Sequence, residues 1–107
     1  MAMISIDTVF GAAGTVRNAW AGEVFEFLRA DSTIKVGLVA TVAGVTATWK
    51  IGDAIVMEDA PVNVNAALVM AADTDLLYVD AGRAGERLTL SLTATAAATC
   101  RSLALIA

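Results

Sequence analysis

The chain has 107 residues, with seven Lys and Arg against eleven Asp and Glu and a formal charge of −4, which leaves room for one small domain spanning 1–107. Hydrophobic residues make up 58 % before the eight glycines are counted, against roughly 45–50 % with glycine included in an ordinary soluble domain, so a disordered tail is excluded. A chain of this size buries about 65 % of its unfolded surface, enough for one modest core.

Other classes fall on the same arithmetic. The longest uncharged stretches are Val36–Trp49, Ala60–Ala72 and Leu88–Cys100, all short of the ~18–20 residues a membrane-crossing helix needs. No membrane span is expected. The start has no basic segment and carries Asp7 where a secretory leader would be apolar, so the chain is expected to fold without export. Cys100 is the one cysteine, which forbids an internal disulfide. Absence of His removes the commonest metal ligand and the base that works near neutral pH. Neither a catalytic centre nor a cofactor nor a metal site is expected. Net acidity and the scarcity of Lys argue against a nucleic-acid partner, whose phosphates are held by many cationic contacts.

In chain order, apolar residues recur at every second position, the period of a pleated strand. Residues 3–9 form the first such segment, and 11–22 the longest candidate loop. Over 15–30, Val16, Trp20, Val24 and Phe27 have helical spacing, but Gly22 interrupts it, and 23–29 reads better as a strand containing Phe25 and Phe27. Ile34, Val36, Leu38, Ala40 and Val42 alternate, then Ala43-Gly44 precedes Val45, Ala47, Trp49 and Ile51. That spacing predicts a hairpin of 34–42 with 45–51. Further strands are expected at 53–57, 62–70 and 75–80, then at Leu88, Leu90, Leu92 and Ala94, and finally at 99–106. Turn signals between them are Gly52-Asp53, Asp59-Ala60-Pro61, Ala72-Asp73 and Ala81–Gly85. The Ala- and Thr-rich run Thr93–Thr99 reads as a turn or bulge rather than a helix.

About eight short strands in this length predict an all-β fold, a two-layer antiparallel β-sandwich of jelly-roll type, with a small barrel as the alternative. Both faces of 34–42 and of 99–106 read as apolar, and a small sandwich covers only one of them. Few Lys and one Pro are available to blunt strand edges, so partner chains are expected to cover them.

Candidate sites are few. Asp73, Asp75 and Asp80 are the one close carboxylate group, with oxygen ligands suited to a hard cation but without the spacing of an EF-hand loop. They read first as turn residues, which bond nearby backbone amides. Asp53, Glu58 and Asp59 read as solvated strand ends. Ala81-Gly82-Arg83-Ala84-Gly85-Glu86-Arg87 resembles an anion loop only in its glycines and lacks the Lys-Ser/Thr continuation, so it reads as a surface turn with ion pairs. Cys100 has no His to activate it and reads as a small buried or interfacial thiol. Phe25, Phe27, Trp49 and Tyr78 sit in apolar alternation and read as core, whereas Trp20, flanked by a glycine, reads as the best exposed aromatic. For contacts with other chains the expected residues are Trp20, Arg83, Arg87, Arg101, Leu103 and Leu105.

In Gly22-Glu-Val-Phe-Glu-Phe-Leu-Arg-Ala-Asp31, Ile34-Lys-Val-Gly37 and Trp49-Lys-Ile-Gly-Asp53 the chain resembles short β-rich virion proteins of bacteriophages, of the minor capsid and decoration type. The resemblance covers residues 20–95 as a succession of strands and turns and carries over no functional residue. It implies a jelly-roll-like fold, no catalysis and a place in a symmetric shell. The resulting expectation is a non-enzymatic virion component, made in the host cytoplasm, that forms a homo-oligomer and packs against other capsid proteins. The competing expectation is a small ligand- or glycan-binding sandwich using Trp20 and the turns of 72–86.

Overall fold

Alternation places one set of side chains between two layers. In the computed structural model, which describes residues 2–24, 26–69 and 78–107 but not the side chains of Ala2 and Tyr78, the strands are β1 (Ala2–Phe10), β2 (Gly14–Val16), β3 (Ser32–Ala40), β4 (Val45–Ile51), β5 (Ala54–Pro61), β6 (Asn63–Val64), β7 (Tyr78–Gly82), β8 (Leu88–Ala94) and β9 (Ala98–Ile106). One sheet runs β1-β9-β3, with β7 and β6 sharing the far side of β3, and the other runs β2-β8-β4-β5. Without the two-residue β6, the order 1-9-3-7 faces 2-8-4-5, the strand order of a jelly roll. The sandwich is therefore as expected, and the barrel alternative is set aside because the sheets do not close on each other. Among the described residues no helix forms, and the only parallel pairing is β3 with β6.

The interlayer is filled from four central strands. Ile34, Val36, Leu38 and Ala40 of β3 and Cys100, Ser102 and Ala104 of β9 face Val45, Ala47, Trp49 and Ile51 of β4 and Leu88, Leu90, Leu92 and Ala94 of β8, all buried. Burying each Leu, Ile or Val side chain contributes about 1.5–3 kcal/mol.

The predicted hairpin does not form. β3 pairs with β9 and β7, whereas β4 pairs with β8 and β5. Residues 41–44 instead carry the chain from one sheet to the other. Period two reports which side chains face inward, but segments in opposite layers face inward equally well, so it cannot assign the layer. The crossing is held sideways by the antiparallel crossing at 95–97: the Thr41 amide donates to Thr99 O (3.0 Å) and the Thr95 amide to Gly44 O (3.1 Å). Gly44 takes a φ of +95° there, which side chains disfavour.

The described residues of 23–29 form no strand beyond the single bridge at Phe27, and the loop predicted at 11–22 contains β2. The place beside β8 is filled piecewise: β2 pairs Val16 with Leu92, the Ala19 amide donates to Leu90 O (2.7 Å), and Phe27 bridges Arg87. Asn18 completes the row, its Oδ1 accepting from the Leu90 amide at 3.1 Å and from the Trp20 amide at 3.0 Å. A left-handed Gly22, φ +81°, turns the chain within this loop. The strand expected over 62–70 is reduced to β6, and of 75–80 only 78–80 fall within the described residues, in β7. The 93–99 run turns as expected, at 95–97.

Two tryptophans occupy the core with opposite polar fates. Trp20, expected exposed, is 0 % exposed, and its Nε1 donates to Ser102 Oγ at 3.1 Å, while Ser102 Oγ donates to Ile6 O at 3.3 Å. An apolar ring on a loop can be drawn into the interlayer as readily as one on a strand. Trp49 is equally buried, but its Nε1 has no acceptor among the described residues, which costs about 1–3 kcal/mol. Trp49→Phe removes that orphan donor, whereas Trp20→Phe removes a satisfied one. In urea unfolding, Trp20→Phe should be the more destabilising of the two by about 1–3 kcal/mol; equal losses would contradict this account.

Candidate interaction surface

The outer faces of the sheets differ in chemistry. On the second sheet, cross-strand neighbours are Thr46 with Thr93, Thr48 with Ser91 and Lys50 with Thr89. Thr15 and Thr93 join hydroxyls at 3.2 Å. This face is mainly hydroxyl, with Lys50 and Asp59 at its side and one exposed apolar side chain, Ile55, opposite Lys50. On the first sheet the outward set is Met3, Ser5, Asp7 and Val9 of β1, Leu103 and Leu105 of β9, Lys35 and Gly37 of β3 and Val79 of β7. Met3 is 71 %, Val9 72 % and Val79 53 % exposed, and Leu103 and Leu105 are half-buried. Apolar exposure gathered on one sheet face is the mark of a contact surface.

Part of the apolar excess on that face is covered by the chain itself. Val39, on the outward side of β3, is fully buried opposite Arg101 and Asn63. Arg101 reaches from β9 to Leu68 O with Nη1 at 3.1 Å and grips Asp7 with two bonds, Nε to Oδ1 at 2.8 Å and Nη2 to Oδ2 at 3.0 Å. The guanidinium fork holds the Asp7 carboxyl below its ordinary value, and Asp7 raises Arg101 in turn. Arg101 thus stitches β1, β9 and the chain after β6 together.

At the end of the sandwich where loop 17–31 meets loop 83–87, Arg87 donates from Nε to Glu26 Oε2 at 2.6 Å, and its guanidinium carbon lies 6.0 Å from the Phe27 ring centre. Glu26 also accepts from the Gly22 amide at 2.9 Å. That amide first, and Arg87 second, hold the Glu26 carboxyl below its ordinary value. Arg87 therefore fastens two loops rather than projecting freely. Arg83 stands exposed beside it, with its own amide donating to Glu86 Oε1 at 2.7 Å. A recess of about 350 Å³ opens next to this end, lined chiefly by Ile4, Ile106, Val24, Phe27 and Leu28. Phe27, read as core, is 55 % exposed at its mouth.

Of the six residues expected at contacts, Leu103 and Leu105 lie together on the outer face of the first sheet and Arg101 borders them. Arg83 and Arg87 lie at the loop end, and Trp20 is withdrawn into the core. Met3, Val9 and Val79, exposed on the same face, are not singled out by the sequence; the alternation of β1 marks which of its side chains share a face, but not that this face is outward. Asp80 accepts from the Ala81 amide at 2.7 Å, as a turn carboxylate does, while Asp73, Asp75 and Phe25 lie outside the described residues. Burial pushes the Cys100 thiol up to about 12, far from nucleophilic ionisation. No protein-family model, curated protein or solved structure matches the chain.

Two outcomes follow. Because the Glu26 carboxyl is lowered in the folded state, its contribution is complete above the ordinary value of 4.5 and drains away as pH falls through the folded value. The gap in urea midpoint between wild type and Glu26→Gln should be widest near neutrality and close in acid; a gap independent of pH would contradict the pairing. Native Cys100 should resist iodoacetamide at neutral pH and react only on unfolding, and rapid labelling of the folded protein would refute its burial.

Proposed function

We propose that the chain is a non-enzymatic structural protein of a bacteriophage virion, a capsid or capsid-decoration component that packs the outer face of its first sheet against a coat lattice and against its own copies. The observation that carries this reading is the asymmetry of the sandwich, with a mainly hydroxyl face on one side, where Ile55 is the exposed large apolar residue, and Met3, Val9, Val79, Leu103 and Leu105 on the other. Jelly rolls serve both shells and lectins, so the fold alone does not choose between them. The placement of the aromatics favours the shell. A sugar platform needs a flat exposed ring; Trp20, the ring expected to provide it, is inside, and the exposed Phe27 has the Arg87 guanidinium over its ring.

An assembly contact also needs no nucleophile or base, in keeping with a chain that has no His and whose single thiol is buried. Its localisation in this reading is the virion, after synthesis in the host cytoplasm. The deciding measurement is the composition of gradient-purified particles from the natural source, where the chain should appear at a copy number set by shell symmetry. Leu103→Glu with Leu105→Glu should lower particle-bound protein by about tenfold or more with the circular dichroism unchanged, as loss of a buried apolar anchor does. Ser91→Glu, on the hydroxyl face, should leave binding intact. Absence from particles, or equal sensitivity of both faces, would reject the assignment.

A further inference from the structure

Sheet edges offer unpaired amides and carbonyls to other strands, and proteins that remain single blunt them. Three of the four edges here are blunted. β2 is three residues long and gives way to irregular chain, and the far side of β3 carries only β6 and β7, of two and five residues. β5 shifts register twice against β4, carries Glu58, Asp59 and Pro61, and has Asp59 at a φ of 47°. β1 has none of these devices. It runs nine residues in unbroken register with β9, without Lys, Pro or bulge. Among the described residues no backbone group bonds to its outer edge. Its single charge, Asp7, is already matched by the bidentate Arg101.

The strand is also complementary to itself. An antiparallel copy related by a two-fold axis at Ile6 pairs all nine residues: Ala2 with Phe10, Met3 with Val9, Ile4 with Thr8, Ser5 with Asp7, and Ile6 with its own copy. The two strongly exposed apolar side chains, Met3 and Val9, then meet twice. Moving the axis to Ser5 would set Met3 against Asp7, and moving it to Asp7 would set two carboxylates opposite each other, which destabilises a strand pair. Axes between residues would oppose inward to outward side chains and are excluded by the pleat. Ile4 and Ile6 face the interlayer yet remain only partly buried at this open side, and the added strand covers them.

We infer that β1 is a self-pairing edge and that the chain forms a two-fold dimer through β1 with the axis at Ile6, joining the first sheets of two copies into one continuous sheet. The inference deepens the assembly reading above, resting on it only for its setting, because pairing is a property of the isolated chain. The partner it names is a second copy of this chain, bound by backbone hydrogen bonds that give affinity and by the Met3–Val9 contacts that give register.

Sedimentation velocity on the full chain tests it with two double variants at exposed positions. Met3→Lys with Val9→Lys sets cation against cation at both ends of the junction and should weaken the dimer by about tenfold or more. Met3→Glu with Val9→Lys sets opposite charges there and should restore association to within about threefold of wild type. Amide exchange supplies a reading that needs no variant: alternate amides of β1 should gain protection as concentration rises from the nanomolar to tens of micromolar. A wild type that stays monomeric over that range, or two variants with equal dissociation constants, overturns the dimer. A dimer missing from purified particles leaves this inference standing and removes the virion reading, whereas a monomer found in particles does the reverse.

Discussion

The structure depends on a single interlayer in which side chains from β3 and β9 meet those of β4 and β8. Each central strand supplies every second residue to it, and nearly all of these are fully buried. Extended backbone leaves the other half of each strand facing away, so what lies outside the interlayer is decided separately for each sheet. The second sheet shows hydroxyls and the first shows Met, Val and Leu. That division makes the two outer faces of a small chain chemically unlike.

Loops complete the interlayer as well as join its walls. The segment between β2 and β3 inserts Trp20 between the sheets, anchors it to Ser102 on β9, and lays Asn18, Ala19 and Phe27 along the open side of β8. Asn18 stands in for a strand, its side-chain amide meeting β8 backbone groups that a neighbouring strand would otherwise meet. The buried Glu26, held by the Gly22 amide and by Arg87, closes the loop on itself. The edge of the second sheet beside β1 is thereby filled with irregular chain, while β1 keeps a regular edge to which, among the described residues, no backbone group bonds. The same loop that seals the core leaves one strand of the first sheet available.

Charge is spent on fastening in this molecule. Arg101 and Arg87 each bind a carboxylate from a distant segment, Asp7 and Glu26, and both carboxyls are lowered by the contact. Each pair keeps its arginine partly in solvent, and such pairs contribute little stability singly; their effect here is positional. Arg101 neutralises the one charge on β1, which would otherwise discourage another strand from approaching that edge.

Composition and period-two alternation by themselves determined that the chain is all-β and which residues of β4 and β8 face inward, because a pleated strand sends alternate side chains to opposite faces whatever its neighbours; on β3 and β9, apolar on both faces, and between sandwich and barrel, the tertiary structure chose. Tertiary structure alone decided which strands share a layer. Ala43-Gly44 has the chemistry of a hairpin turn, yet it serves a crossing between sheets, since β3 finds its partners in β9 and β7, remote in sequence. It also decided the fate of Trp20, whose loop setting implied exposure until a cavity between the sheets and the Ser102 hydroxyl gave both its ring and its N–H a place inside. Alternation is a local property legible in any short window, whereas layer, edge and burial of a loop depend on where the rest of the chain lies.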